Sequence, residues 1–229
     1  MAMRMLIVED HPLYAEALRL VVSGDFPGAE IVAAGTIDEA RAVLAANTKF
    51  DLALLDLWLP GTHGLDGLME LRKSAPKLPI MVVSAFTEAT VVGRAMICGA
   101  AGFIAKSVTR WELVMAIRKV LRGEVVLPIS GAECASLPEA GDGASAWRLR
   151  MLTQQQLRVL HMLCQGKLNK QIAHDLEVGE TTVKAHVSEV LRKLGVSSRT
   201  QAVVELCNVN FMAMQPFYSA GGTTSSCRL

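Results

Sequence analysis

No apolar run in this sequence reaches the roughly 18 residues that a membrane-spanning helix needs, because Arg, Glu or Asp interrupts each candidate. Interaction with a membrane is therefore not expected. Met1 to Glu9 carry one Arg and no small-residue cleavage site, and they run straight into a strand pattern. No secretory leader is expected, and the expected location is cytoplasmic. Cysteine is sparse. The five present (Cys98, Cys134, Cys164, Cys207, Cys227) are odd in number, and no two form a C-x-x-C pair or another metal-ligand spacing. That argues against a zinc site, a dithiol redox centre or a disulfide framework. Internal repeats are also missing. So is an excess of one charge: 23 Lys and Arg face 22 Asp and Glu.

What is present is a largely apolar chain of 229 residues, 51% hydrophobic and 20% charged. Such a chain can bury a core, and its length suits two domains. The near-zero net charge hides an uneven distribution. Residues 1–127 hold 13 Lys/Arg against 14 Asp/Glu, whereas residues 151–229 hold 8 against 5. The C-terminal part is the better candidate for a polyanionic partner.

Residues 1–125 alternate between two periodicities. Short runs rich in Val, Ile and Leu at Met5–Val8, Ile31–Ala34, Leu52–Leu55, Ile80–Val83 and Phe103–Ala105 are too short for helices. They read as strands buried on both faces, as in a parallel sheet. Helical patterns lie between them. Pro12 suits a first helical position, and Thr36-x-x-Glu39 and Thr109-x-x-Glu112 are capping boxes. Five βα units predict a doubly wound α/β domain with a parallel five-stranded sheet.

From residue 126 to 150 periodicity fails and Pro, Gly, Ala, Ser and Glu dominate, which predicts a linker. Residues 151–210 are wholly helical in pattern and predict an all-α domain of four helices. Thr153-x-x-Gln156 caps the first; Asn169–Leu176, Glu180–Leu194 and Arg199–Cys207 are the others. The Gly/Ser/Thr-rich tail, 211–229, is expected to be disordered.

Ligands of doubly wound sheets bind where strands end. Glu9 and Asp10 follow strand one, Asp56 follows strand three, Ser84 ends strand four and Lys106 follows strand five. Three carboxylates gathered there repel one another unless a hard divalent cation sits among them. With a Lys and a hydroxyl beside them, they suit the handling of a phosphoryl group, with Asp56 as nucleophile.

Val-Glu-Asp-His-Pro at 8–12, Leu-Leu-Asp-Leu-Trp-Leu-Pro-Gly at 54–61, Val-Ser-Ala at 83–85 and Gly-Phe-Ile-Ala-Lys-Ser at 102–107 resemble the receiver domain of response regulators. The resemblance implies Asp56 as phosphoacceptor. It implies Mg²⁺ (or Mn²⁺) held by Glu9, Asp10, Asp56 and the Trp58 backbone carbonyl. Lys106 would pair with the phosphoryl group, Ser84 would be the hydroxyl that moves toward it, and Phe103 would be the aromatic switch. Phosphorylation would bias the surface formed by helix 88–98, strand 103–105 and helix 109–120, where Trp111, Met115 and Arg118 share one stripe.

In the C-terminal domain a short helix, a turn and a longer basic amphipathic helix fit a helix-turn-helix. Thr181, Lys184, Ala185 and Ser188 face outward near the start of the longer helix, where base edges are read. Thr182, His186, Asn169 and Lys170 are candidates for phosphate contact. Gly-Lys-Leu-Asn-Lys-Gln-Ile-Ala at 166–173, Thr-Val-Lys-x-His at 182–186 and Lys-Leu-Gly-Val-x-x-Arg-Thr-x-Ala at 193–202 resemble the DNA-binding domain of LuxR-type regulators. The whole is similar to the NarL/FixJ class. Gln154-Gln155-Gln156 stands where that family has Pro-Arg-Glu, Gly179 where it has Ser, and Glu9 where it more often has Asp. The resemblance implies a transcription regulator and no enzyme beyond its own aspartyl phosphorylation. Its partners would be a sensor histidine kinase and promoter DNA with two half-sites. A second copy on phosphorylation and RNA polymerase are further candidates.

Three alternatives stand beside this reading. A receiver acting as a protein-interaction module without phosphate is disfavoured by Asp56, Lys106 and Ser84 together. A haloacid-dehalogenase-like hydrolase needs a second Asp two residues after the nucleophile, where Trp58 stands. A C-terminal domain that binds protein and not DNA is modestly disfavoured by the Lys184 face and by the net +3 charge of residues 151–229, 8 Lys/Arg against 5 Asp/Glu.

Overall fold

The computed structural model describes residues 3–46, 49–128, 148–149 and 151–203. Most of the expected linker and all of the expected tail lie outside them, as do Cys134, Cys207 and Cys227. Five strands, β1 (Arg4–Val8), β2 (Glu30–Ala34), β3 (Leu52–Leu55), β4 (Ile80–Ser84) and β5 (Gly102–Ala105), form one parallel sheet in the order β2-β1-β3-β4-β5. The helices α1 (Pro12–Asp25), α2 (Ile37–Ala45), α3 (Asp66–Ser74), α4 (Ala89–Ile97) and α5 (Arg110–Leu121) alternate with them.

The alternation of side chains along each strand explains the layers. Met5 and Ile7, Leu52 and Leu54, Met81 and Val83, and Ile104 face α1 and α5. Leu6 and Val8, Ala53 and Leu55, Ile80 and Val82, and Phe103 face α2, α3 and α4. Both faces are apolar, which forces a helical layer onto each side. β2 departs from the expected burial on both faces. It is an edge strand, and Glu30 and Ala33 are exposed while Ile31 and Val32 are half-buried. The opposite edge, β5, is sealed because the Phe103 N–H donates to Val126 O at 2.8 Å.

Local signals hold up with one adjustment. Thr109 and Glu112 form a reciprocal capping box on α5. The Thr36 hydroxyl accepts from Glu39 N–H, but Glu39 Oε2 takes the Gly35 N–H instead of closing the box on Thr36.

The C-terminal unit consists of α6 (Gln154–Cys164), α7 (Asn169–Leu176) and α8 (Glu180–Leu194), followed by a helix that opens at Arg199. Val159, Met162, Leu163, Ile172, Ala173, Leu176 and Val183 are its own small core. Leu157 and Leu160 of α6 instead join Ile97 and Ala100 in the apolar cluster beneath α4, so the two units share a buried seam. No described helix is long and apolar enough to cross a membrane.

One buried charge ties the N-terminal unit together. Arg72, 4% exposed at the end of α3, donates to the carbonyls of Ala75 (3.3 Å), Pro76 (3.0 Å), Leu78 (2.8 Å) and Gly99 (2.7 Å). Burial, with the Arg158 charge nearby, lowers its pKa to about 9, so the guanidinium stays protonated at neutral pH. Arg72→Met is expected to cost about 2–4 kcal/mol in denaturant unfolding, because it strips donors from buried carbonyls. Lys73→Met, next along the helix and exposed, is expected to stay within about 0.5 kcal/mol. Equal effects would show that Arg72 is replaceable.

Candidate functional site

The strand order reverses between β1 and β3, which opens a crevice at their carboxyl ends. Backbone pairing carries each acid there. Glu9 N–H donates to Ala34 O and Asp56 N–H donates to Val8 O, both at 3.0 Å, so the residues just past β1 and β3 stay in register. Glu9 and Asp56 are 5% and 6% exposed, while Asp10 reaches solvent. One carboxylate oxygen from each of the three lies within 4.8 Å of the others.

Lys106, brought in past β5, lies among them. Its Nζ donates to Asp56 Oδ2 and Glu9 Oε1 at 2.9 Å and lies 2.7 Å from Glu9 Oε2. Burial works against the ammonium, but the hydrogen bonds and charges of Glu9 and Asp56 outweigh it and raise its pKa. Burial pushes the Glu9 carboxyl up, helped by the Asp56 charge and opposed by Lys106. One ammonium thus pairs with two of the three carboxylates, Glu9 and Asp56. Asp56 Oδ1 is left buried without a hydrogen-bond partner. A buried carboxylate oxygen with nothing to bind, facing two further acids, fits a hard divalent cation.

The remaining expected residues fall around this point. Ser84 is fully buried, and its Oγ accepts from the Phe86 N–H at 3.2 Å. Ser84 O receives the Lys106 N–H at 2.8 Å, so the hydroxyl-bearing strand end and the lysine are backbone neighbours. Phe103 is fully buried in the sheet core. The Trp58 side chain is half-exposed and tilts against Phe86, with ring centroids 5.2 Å apart. Sequence reasoning missed Tyr14, whose ring lies under the Lys106 ammonium, 4.6 Å from Nζ to centroid. Its position one turn into the helix after Glu9 and Asp10 was the available signal. On the α5 stripe, Trp111 is exposed, Met115 half-buried, and Arg118 lies over the Phe26 ring at 5.5 Å.

In the C-terminal unit α8 starts on Gly179, which supplies no side-chain cap, and stops on Gly195 in the left-handed region at φ 71°. Val183, Val190 and Leu194 are buried, and Val187 and Leu191 half-buried. Thr181, Thr182, Lys184, Ala185 and Ser188 are exposed on the other side. His186 and Asn169 are half-buried and Lys170 is exposed. Lys184 Nζ pairs with Glu180 at 3.1 Å along the helix, an exposed contact that a competing anion can displace.

Residues 5–118 match the family model of the response regulator receiver domain, and residues 150–206 that of bacterial regulatory proteins of the luxR family. The chain is similar to the glycerol metabolism activator of Pseudomonas putida, 41% identical over 215 residues that cover 92% of this chain and 97% of the relative. It is also similar to the nitrate/nitrite response regulator protein NarP of Escherichia coli (strain K12), 35% identical over 201 residues, 88% of this chain and 93% of that one. A solved LuxR family DNA-binding response regulator from Silicibacter pomeroyi superimposes with a TM-score of 0.51 at 34% identity, over 56% of this chain and 98% of that chain.

The charge arrangement has a measurable consequence. Lys106→Ala removes the one ammonium among three acids and is expected to lower stability by about 1–2 kcal/mol without divalent cation, a figure discounted for the partial exposure of Lys106. Saturating Mg²⁺ should raise the melting temperature of both proteins and narrow the gap between them. Melting temperatures indifferent to Mg²⁺ would exclude the acidic cluster as a cation site.

Proposed function

The chain belongs to the response regulators that join a receiver domain to a LuxR-type DNA-binding domain, and from that membership we propose that Asp56 is the phosphoacceptor that controls DNA binding through α8. The observation that carries this reading is the Lys106 ammonium at 2.9 Å from Asp56 Oδ2, with Asp56 Oδ1 unpartnered beside Glu9 and Asp10. We propose the division into a receiver at 1–125, a linker at 126–150, a DNA-binding domain at 151–210 and a tail at 211–229.

In this reading an Asp56 carboxylate oxygen attacks the phosphorus of a donor, a phosphohistidine on a sensor kinase. The P–N bond breaks, its electron pair leaves with the imidazole, and an acyl phosphate forms on Asp56. Lys106 is already placed to pair with the new phosphoryl oxygens. Glu9, Asp10, Asp56 and the Trp58 carbonyl would hold Mg²⁺ or Mn²⁺, which supplies charge neutralisation on the phosphoryl group. Ser84 gains an acceptor only after phosphorylation; Phe103, the aromatic expected to turn inward, is already fully buried in the sheet core, so its part in the switch would be a repacking within the core and not an inward turn. Its chemistry in this reading is its own aspartyl phosphorylation and dephosphorylation.

Thr181, Lys184, Ala185 and Ser188 read base edges in the major groove, while Thr182, His186, Asn169 and Lys170 contact phosphates. Two copies on two half-sites form when Asp56 is phosphorylated, and RNA polymerase is the partner that reads out the complex. The cytoplasm is where kinase, DNA and polymerase meet.

The test is a gel shift on the protein's own upstream region, with and without acetyl phosphate and Mg²⁺, at stated salt. Affinity is expected to rise with the phosphodonor and to stay at the basal level in Asp56→Asn. Equal affinity in both states would remove the phosphate switch from the reading. Lys184→Ala is expected to lose about 1–3 kcal/mol of binding, roughly five- to 150-fold, with its melting temperature unchanged. Unchanged affinity would show that this face of α8 does not meet DNA.

A further inference from the structure

The first helix of the DNA-binding unit ends its contacts on two receiver helices in an unusual way. The last carbonyls of a helix have no partner within it. At the end of α4, Ile97 O lies 2.9 Å from His161 Nδ1 of α6. At the end of α5, Val120 O already accepts the Gly123 N–H at 3.0 Å and takes the Gln154 side-chain amide as a second donor at 2.6 Å; the same amide donates to Glu124 O at 2.9 Å, and the Gln154 backbone N–H approaches Gly123 O at 3.4 Å. Side chains of one unit thus cap two helices of the other. Gln154 and His161 are 4% and 8% exposed. Gly99, at φ 93°, lies beside both groups: a Cβ there would crowd Arg72 Nε at 3.1 Å and reach ordinary contact with His161 Cγ at 3.5 Å. An ion pair between Lys77, in the α3–β4 loop, and Glu177, in the turn between α7 and α8, closes the third corner. Glu177 holds φ 53° and is the one positive-φ non-glycine among the described residues.

We propose that Gln154 and His161 form an intramolecular latch that docks the DNA-binding unit on the α4–α5 end of the receiver with its base-reading face open, and that a proton on His161 releases it. The open face is the exposed set Thr181, Thr182, Lys184, Ala185 and Ser188, none of which the receiver covers. Docking therefore fixes the orientation of the unit and does not mask it. Gln154 departs from the motif of the family that the chain resembles. The proline that the family resemblance leads one to expect there has neither the amide nor the N–H.

The proton dependence follows from the geometry. Ile97 O can only accept, so Nδ1 carries the hydrogen, and neutral Nε2 accepts from the Gln165 amide at 2.9 Å. A second ring proton would turn that acceptor into a donor. It would also place a cation in a buried seam that already faces Arg72 from α3 and Lys167 from the α6–α7 turn, with Arg158 of α6 facing Arg72. No carboxylate among the described residues pairs with the ring. Burial first, then Arg72 and Lys167, hold the imidazole below its ordinary range, against the hydrogen bond to Ile97. The undocked ring titrates near 6.5. Docking is therefore at full strength above about pH 6.5 and weakens as pH falls below it, because the undocked state binds the proton more tightly.

Small-angle scattering of the full chain, without phosphodonor or DNA, reads docking directly. One unit below the ordinary imidazole value the docking equilibrium shifts by at most about tenfold, so the radius of gyration is expected to rise between about pH 7.5 and pH 5.5. His161→Asn keeps a neutral donor toward Ile97 O and should stay compact at both values. Gln154→Pro suits a first helical position yet strips the amide, and should be expanded already at neutral pH. Helical circular dichroism of each variant separates release of the latch from unfolding. A wild-type radius that does not change with pH, a His161→Asn chain that expands as the wild type does, or a compact Gln154→Pro chain would each overturn the latch. None of these outcomes depends on DNA binding or on Asp56, so the latch can fail while the proposed function stands, and the reverse.

Discussion

Three carboxylates at the ends of two neighbouring strands are the constraint from which the rest of the receiver follows. Glu9 and Asp56 are nearly dry, and like charges in that setting cannot be left to water. Lys106 answers them from the far edge of the sheet. That requires β5 to be long enough and in register with β4, whose last residue, Ser84, receives the Lys106 N–H. Lys106 therefore links four strands to one point, its ammonium reaching the ends of β1 and β3 and its backbone N–H the end of β4. Whatever changes the charge at Asp56 changes what Lys106 and the ends of β4 and β5 are held by.

The ends of the helices that follow those strands are where the second unit is attached. α4 and α5 leave carbonyls at their C-termini, and α6 provides the donors. Charge at one end of the sheet and hydrogen bonding at the far end of the same βα units are thus connected through rigid elements. A shift of α4 or α5 has to be absorbed at Ile97 or Val120, since packed cores move between discrete arrangements and do not deform continuously.

Much of this was legible in the sequence for identifiable reasons. Runs such as Leu52–Leu55 have no polar position, so burial on both faces was the only way to satisfy them, and the acids that follow such runs had to gather at one edge. β2 misled because Ile31 and Val32 are equally apolar, while edge position depends on strand order and not on composition. Arg72 was illegible. A Lys/Arg pair at the end of a helix reads as a partner of the helix dipole, and nothing local says that one of the two turns inward to collect four carbonyls. Gln154 showed only as a departure from a motif. Its purpose lies on residues 30 or more positions away.

The Trp58–Phe86 contact joins the loop after β3 to the loop after β4, and its two members stand two residues beyond Asp56 and Ser84 respectively. An indole so placed, half in water and half against another ring, is an optical gauge wired into the molecule. Any rearrangement that separates those loops alters its surroundings, so with Trp111 and Trp147 replaced by Phe the remaining indole emission follows the state of the site with no label attached.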